Sequence, residues 1–129
     1  MDDCIFCKII KGELPCHKIY EDEYTLAFLD IADDVVGHTL VVPKKHCHNI
    51  LDCPKSTLAH VMNTVQLVSK HYVEKLGYDS VNLMNVNELV PHFHIHIFPR
   101  KKGDGIDICA HYPKLGTDLK ALCKKMRIK

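Results

Sequence analysis

No apolar run in this chain of 129 residues approaches the roughly 20 needed to cross a bilayer, and the opening Met1-Asp2-Asp3 is acidic where a secretory leader is basic. Both absences point away from a membrane span and from export. Net charge is also lacking: 17 Lys and Arg against 16 Asp and Glu leave +1, so charge alone selects neither nucleic acid nor a membrane as partner. Internal repeats, low-complexity tracts and Pro/Gly/Ser linkers are missing too. With 47% hydrophobic and 26% charged residues, the length suits one packed core, and a single domain over residues 1–129 is expected. Seven cysteines are an odd number and sparse for a disulfide scaffold. They are expected to be reduced, held by metal more readily than by each other, in a chain of the cytoplasm or nucleus.

What is present is patterned. Ile19-Tyr20 and Tyr24 to Ile31, separated by Glu21-Asp22-Glu23, predict a hairpin, and His38 to Val42, closed by Pro43, predicts a third strand. From Ser56 to Leu76 the residues Leu58, Val61, Met62, Val65, Val68, Tyr72 and Leu76 recur at three- and four-residue steps up to Gly77, predicting one long helix. Ser80 to Asn85 and His92 to Phe98 predict two more strands, and Leu119, Leu122, Cys123 and Met126 a short amphipathic helix. The segment from Cys4 to Ile10 is too short to stand as a helix alone. The order predicts an α+β fold: an antiparallel sheet of about five strands with one long helix and short terminal helices, the helices on one side of the sheet.

Charge is unevenly spread. Residues 100–129 hold nine Lys and Arg against three Asp, and residues 1–99 eight against thirteen. A solvated helix face explains the basic end as well as a weak attraction for phosphorylated ligands does.

The chemistry concentrates in Pro91-His92-Phe93-His94-Ile95-His96-Ile97-Phe98-Pro99-Arg100. Period-two alternation sends His92, His94 and His96 to one face of a strand, roughly 6.7 Å apart in succession, and Phe93, Ile95 and Ile97 to the other. A helix would pair His92 with His96, but the flanking prolines and the β-branched and aromatic residues between favour the strand. A wet strand face carrying histidines by chance explains one or two imidazoles but explains three in strict alternation poorly. Histidine serves as metal ligand, proton shuttle and nucleophile. Cys4-Ile5-Phe6-Cys7 is a C-x-x-C pair, readable as a redox pair, as two core cysteines, or as half of a tetrahedral zinc site completed by His92 and by His46 or His48.

The stretch His92-Phe93-His94-Ile95-His96-Ile97-Phe98 resembles the signature of the histidine triad (HIT) family of nucleotide hydrolases and transferases. Three more blocks are similar in the family's order: Cys4-Ile5-Phe6-Cys7-Lys8-Ile9-Ile10, Ala27-Phe28-Leu29-Asp30-Ile31, and Gly37 to His46. The resemblance implies a structural zinc, one per chain, on Cys4, Cys7, His46 and His92. It implies His94 as nucleophile, with His96 and His38 lining the α-phosphate, Asp30 and Asn85 at the ribose hydroxyls, and Ile5, Phe6, Ile9, Phe28 and Ile31 packing the base. It further implies a purine nucleotide or nucleotide conjugate as substrate, a nucleotidyl-histidine intermediate and a homodimer, with neither membrane nor nucleic acid as partner. Read without it, the apolar set would be core in almost any fold, Asp30 could end a strand and Asn85 make a turn.

One segment departs from the family: where many members carry Gly-Gln-Ser/Thr before the triplet, this chain reads Asn87-Glu88-Leu89-Val90-Pro91, without an amide or hydroxyl at Glu88 and Leu89. His17, His48, His60, His71 and His111 match no motif and are expected at the surface. Two other readings stand beside the enzyme: a nucleotide-binding module with little turnover, and a zinc-stabilised interaction protein.

Overall fold

The computed structural model describes residues 3–86, 90–107 and 113–128. Strands β1 (Lys18–Glu21) and β2 (Thr25–Leu29) form the expected hairpin. Its turn is set by Asp22, whose Oδ1 accepts the main-chain N–H groups of Tyr24 and Thr25, each at 2.8 Å. Strand β3 (Thr39–Pro43) pairs with β2, β5 (Ile95–Arg100) with β3, and β4 (Ser80–Met84) with β5, all antiparallel, in the order β1-β2-β3-β5-β4.

Helices lie against both faces of this sheet, which corrects the one-sided expectation. The short α1 (Ile5–Ile10) covers Leu26, Phe28, Leu40 and Val42, while α2 (Lys55–Lys70) covers Ala27, Val41, Ile95 and Ile97 through Val61, Val65 and Val68. The reason is visible in β2 and β3, which are apolar at nearly every position, so neither face can be left wet. Although α1 has only six residues, tertiary contact holds it: Phe6 meets the ring of Phe28 edge-on at 5.8 Å, and the Cys4 sulfur caps the helix by accepting from the Cys7 N–H at 3.4 Å.

The long helix also differs from its expectation. It runs as α2 to Lys70 and finishes in a π-helical turn, His71–Lys75, in which Tyr72 is buried and shares a hydrogen bond with the Thr39 hydroxyl at 2.6 Å. Met62 and Leu76, counted in the apolar stripe, are exposed. Helix α3 (Leu119–Met126), capped by Asp118, buries none of its residues.

Ladder pairing of β5 begins only at Ile95, so His92 and His94 precede the strand proper, and Pro99 lies inside it. The alternation survives nonetheless: Phe93, Ile95 and Ile97 join the α2-side core, and the histidines face the α1 side. Cys47 and Cys53 form a disulfide, against the expectation of reduced thiols. They lie six positions apart, and Asp52 folds the turn between by accepting the N–H groups of His48 and Asn49 at 3.0 and 2.8 Å. No helix among the described residues is long and apolar enough to cross a membrane.

Candidate functional site

Four side chains from three parts of the sequence meet at one end of the sheet. Cys4 and Cys7 come from the start of α1, His46 from the loop after β3, and His92 from the approach to β5. The Cys4 sulfur lies 3.3 Å from His92 Nδ1, the Cys7 sulfur 3.2 Å from His46 Nδ1 and 3.5 Å from His92 Nδ1, and the two Nδ1 atoms are 3.1 Å apart. Tetrahedral zinc with bonds of about 2.0–2.3 Å has ligand–ligand edges of roughly 3.3–3.8 Å, close to this set. His92 is fully buried, and its other nitrogen, Nε2, donates to the Pro43 carbonyl at 2.9 Å, which turns Nδ1 inward as a bare lone pair. Burial foremost holds the His92 imidazole down to about 4, the neutral form a ligand needs. Burial, reinforced by Cys4, pushes the Cys7 thiol up to about 11, so a cation is required to ionise it. The donor set therefore fits zinc. His48, the alternative, has a side chain 63% exposed beside Asp52 and stays outside the cluster.

Two residues further along, His94 is buried and its Nδ1 donates to the main-chain oxygen of His92 at 2.7 Å. That bond fixes the tautomer and leaves Nε2 as an unshared pair. Burial, partly opposed by the same bond, keeps the ring's proton affinity below the ordinary value, so the imidazole is neutral near pH 7. Next comes His96, whose Nδ1 lies 2.8 Å from His38 Nε2. The β3–β5 register, which sets Leu40 opposite His96 and Thr39 opposite Ile97, brings His38 there. His38 stacks on Phe98 at 4.2 Å, and its Nδ1 faces Asp34 Oδ1 at 2.7 Å. Gly37, at φ +81°, makes the turn that delivers His38; a Cβ there would stand 3.1 Å from the Pro99 ring.

His94 and His96 open onto a cleft of about 480 Å³. Its walls include all five residues expected at a base: Phe6 and Phe28 are buried, while Ile5 and Ile31 are 45% and 89% exposed at the rim. Core packing cannot account for an isoleucine so exposed beside a hollow. Asp30 lines the same cleft, its Oδ1 taken by the Ala32 N–H at 2.8 Å and its Oδ2 3.6 Å from His38 Nε2. A larger hollow of about 750 Å³ between β1 and α2 holds no comparable convergence of imidazoles. Asn85 does not line the cleft; its amide donates to the His94 carbonyl at 2.8 Å. The departure at Asn87, Glu88 and Leu89, and His111, lie outside the described residues. Sequence reasoning missed Asp34, and also Leu14, Cys16 and Val90 in the cleft wall.

These buried imidazoles set an acid limit on stability. His96, like His92, is held down to about 4, by burial first and then by His94 and His38. Both folded values lie below the ordinary value of about 6.5, so between those limits the unfolded chain binds protons that the folded chain refuses. Stability should therefore fall as pH drops from about 6.5 to 4. Urea midpoints measured across that window check it, and a flat profile contradicts it.

The family model described as HIT domain matches residues 11–103, so the chain belongs to the histidine triad family. An uncharacterized HIT-like protein of Methanocaldococcus jannaschii is 47% identical over 79% of this chain and 82% of its own. The adenosine 5'-monophosphoramidase of Schizosaccharomyces pombe is 35% identical over 98% and 97%. Among solved structures, a zinc-bound histidine triad protein from Mycobacterium smegmatis superposes with a TM-score of 0.78 at 35% identity, over 83% of this chain and 81% of that one. Nucleotide hydrolysis is thus an activity for which relatives in the family are named.

Proposed function

We propose that this protein hydrolyses a purine nucleotide conjugate at the α-phosphate, through a covalent nucleotidyl-His94 intermediate. The observation that carries the reading is the fixed tautomer of His94: Nδ1 is committed to the His92 carbonyl, and Nε2 stands bare beside a mostly apolar cleft that Asp30 and His96 also line. In this reading Nε2 attacks phosphorus in line and the bond to the leaving group breaks. Water then attacks the phosphorus, the P–N bond to His94 breaks, and the free nucleotide departs. His96 and His38 serve the phosphate, Asp30 the ribose, and Ile5, Phe6, Ile9, Phe28 and Ile31 the base. Asn85 acts on the main chain that carries His94 rather than on the ribose. Cys4, Cys7, His46 and His92 would hold zinc, which supplies a closed structural link and no reaction step. Pairing of two chains along β4, the sheet edge where Leu83 and Met84 are exposed, fits the expected homodimer.

The name of the fission yeast relative points to a test substrate, adenosine 5'-phosphoramidate. Purified protein should convert it to AMP and ammonia. Thermal stabilisation by AMP without turnover would replace the enzyme with a binding module, and absence of both would leave the interaction protein.

A further inference from the structure

Resting on the reading above, we propose that Asp34 is a positioning residue that holds His38 and His96 as a two-ring proton relay, which lends one proton to the leaving group and regains it from the attacking water. An ionised Asp34 can only accept, so the 2.7 Å contact requires His38 Nδ1 to carry a proton. Across the 2.8 Å contact between His38 Nε2 and His96 Nδ1, one nitrogen must donate and the other accept.

Two states satisfy both contacts without placing charge on His96. With both rings neutral, His38 Nε2 is bare, His96 Nδ1–H donates to it, and His96 Nε2 offers a lone pair to the cleft. With one proton more, His38 is an imidazolium whose Nε2–H donates to His96 Nδ1, and His96 Nε2–H becomes a donor toward the cleft. A proton that arrives at His96 Nε2 thus shifts the Nδ1 proton onto His38, and the positive charge comes to rest between Asp34 and Asp30, the latter 3.6 Å from Nε2.

The groups around the relay favour that resting place. Asp34, Asp30 and His96 face His38, Phe98 stacks on it, and His94 contacts His96 at 4.9 Å between ring centroids. Burial, then His94 and His38, oppose charge on His96, whereas two carboxylates face His38 at 2.7 and 3.6 Å. Burial of Asp34 acts to raise its proton affinity, but the hydrogen bond and charge of His38 outweigh it and keep the carboxylate ionised.

Two half-reactions then balance. In the first, His94 Nε2 bonds to phosphorus, the bond to the leaving amine breaks, and the amine takes the proton from His96 Nε2 as the relay becomes neutral. In the second, water bonds to phosphorus, the P–N bond to His94 breaks, and the water's proton enters His96 Nε2 and recharges the relay. The relay supplies the leaving-group proton that Leu89 lacks the chemistry to give.

Asp34 is half exposed, so its substitution leaves the core intact. In Asp34→Asn, kcat on adenosine phosphoramidate should fall by about tenfold with KM within about twofold. The alkaline limb of the kcat profile should move to lower pH by about one unit, because His38 loses a neighbouring charge. The burst release of nitrophenolate from an adenylate ester, a first half-reaction that needs no proton, should change much less, and Asp34→Glu should restore part of the loss. Equal losses on both substrates with an unmoved pH limb would make Asp34 merely structural and overturn the relay. Ring 15N NMR tests the arrangement without turnover: above the alkaline limb His38 and His96 should each carry the proton on Nδ1, below it His38 should carry two protons and His96 one on Nε2, and Asp34→Ala should lose that preference. A wild-type protein with these tautomers but no turnover sinks the functional reading alone. Different tautomers sink the relay.

Discussion

Replacing His94 with alanine should abolish turnover, by a factor on the order of 10⁴ or more, while nucleotide affinity and metal content stay near wild type. Loss of a nucleophile removes a covalent step that water cannot duplicate at the same position, because the buried ring offers its lone pair at a fixed point in the cleft. Affinity should persist because the wall residues Phe6, Phe28 and Ile31 and the acidic Asp30 are untouched. Metal content should persist because none of the four clustered ligand atoms belongs to His94. Stability should drop only by about 1 kcal/mol, for one lost hydrogen bond to the His92 carbonyl and a small cavity. Single-turnover kinetics with AMP-release detection, set beside isothermal titration with AMP, checks both halves. Turnover in His94→Ala within tenfold of wild type would remove the covalent mechanism.

The row of histidines was legible because side-chain period needs no tertiary knowledge: His92, His94 and His96 alternate with residues of the α2-side core whether or not ladder bonds have begun. The point where pairing starts was not legible, since β5 joins the ladder at Ile95 only because β3 and β4 lie beside it. His38 and His96, 58 residues apart, met only through that register, and without the family resemblance nothing local would couple them. Asp34 was invisible for a related reason. It contacts His38 across an i,i+4 spacing that no helix explains, through a turn that depends on the positive φ of Gly37. Cys47 and Cys53 carried no signal beyond their count, because their pairing is a consequence of how Asp52 folds the turn. Composition did mark β2 and β3 as apolar throughout, and that should have placed helices on both faces of the sheet.

Removal of metal should cost both stability and catalysis, and the two losses share a cause. His92 is the common element: Nδ1 faces the cysteines and His46, Nε2 donates to Pro43, and the residue's own carbonyl receives the His94 proton that sets the nucleophile's tautomer. Protein that binds zinc with free metal at about a thousand times its dissociation constant gains about 4 kcal/mol over the metal-free form. For a chain of this size that corresponds to a melting temperature roughly 10–16 °C higher. Chelation should produce that drop, and His92→Ala and Cys4→Ser should reproduce it without chelator, with less than half the wild-type metal in elemental analysis. His48→Ala should retain a full complement, since that ring lies outside the cluster. Metal-free wild type should also turn over more slowly, because α1 is tied through Cys4 and Cys7 to His92, on the approach to β5, and carries Phe6, whose ring packs edge-on to His94 at 5.1 Å. Loosened, that contact no longer holds the imidazole for in-line attack. Scanning calorimetry and steady-state rates on the same chelated sample read both effects. A melting temperature indifferent to chelator, or metal retained in His92→Ala, would dismiss the site.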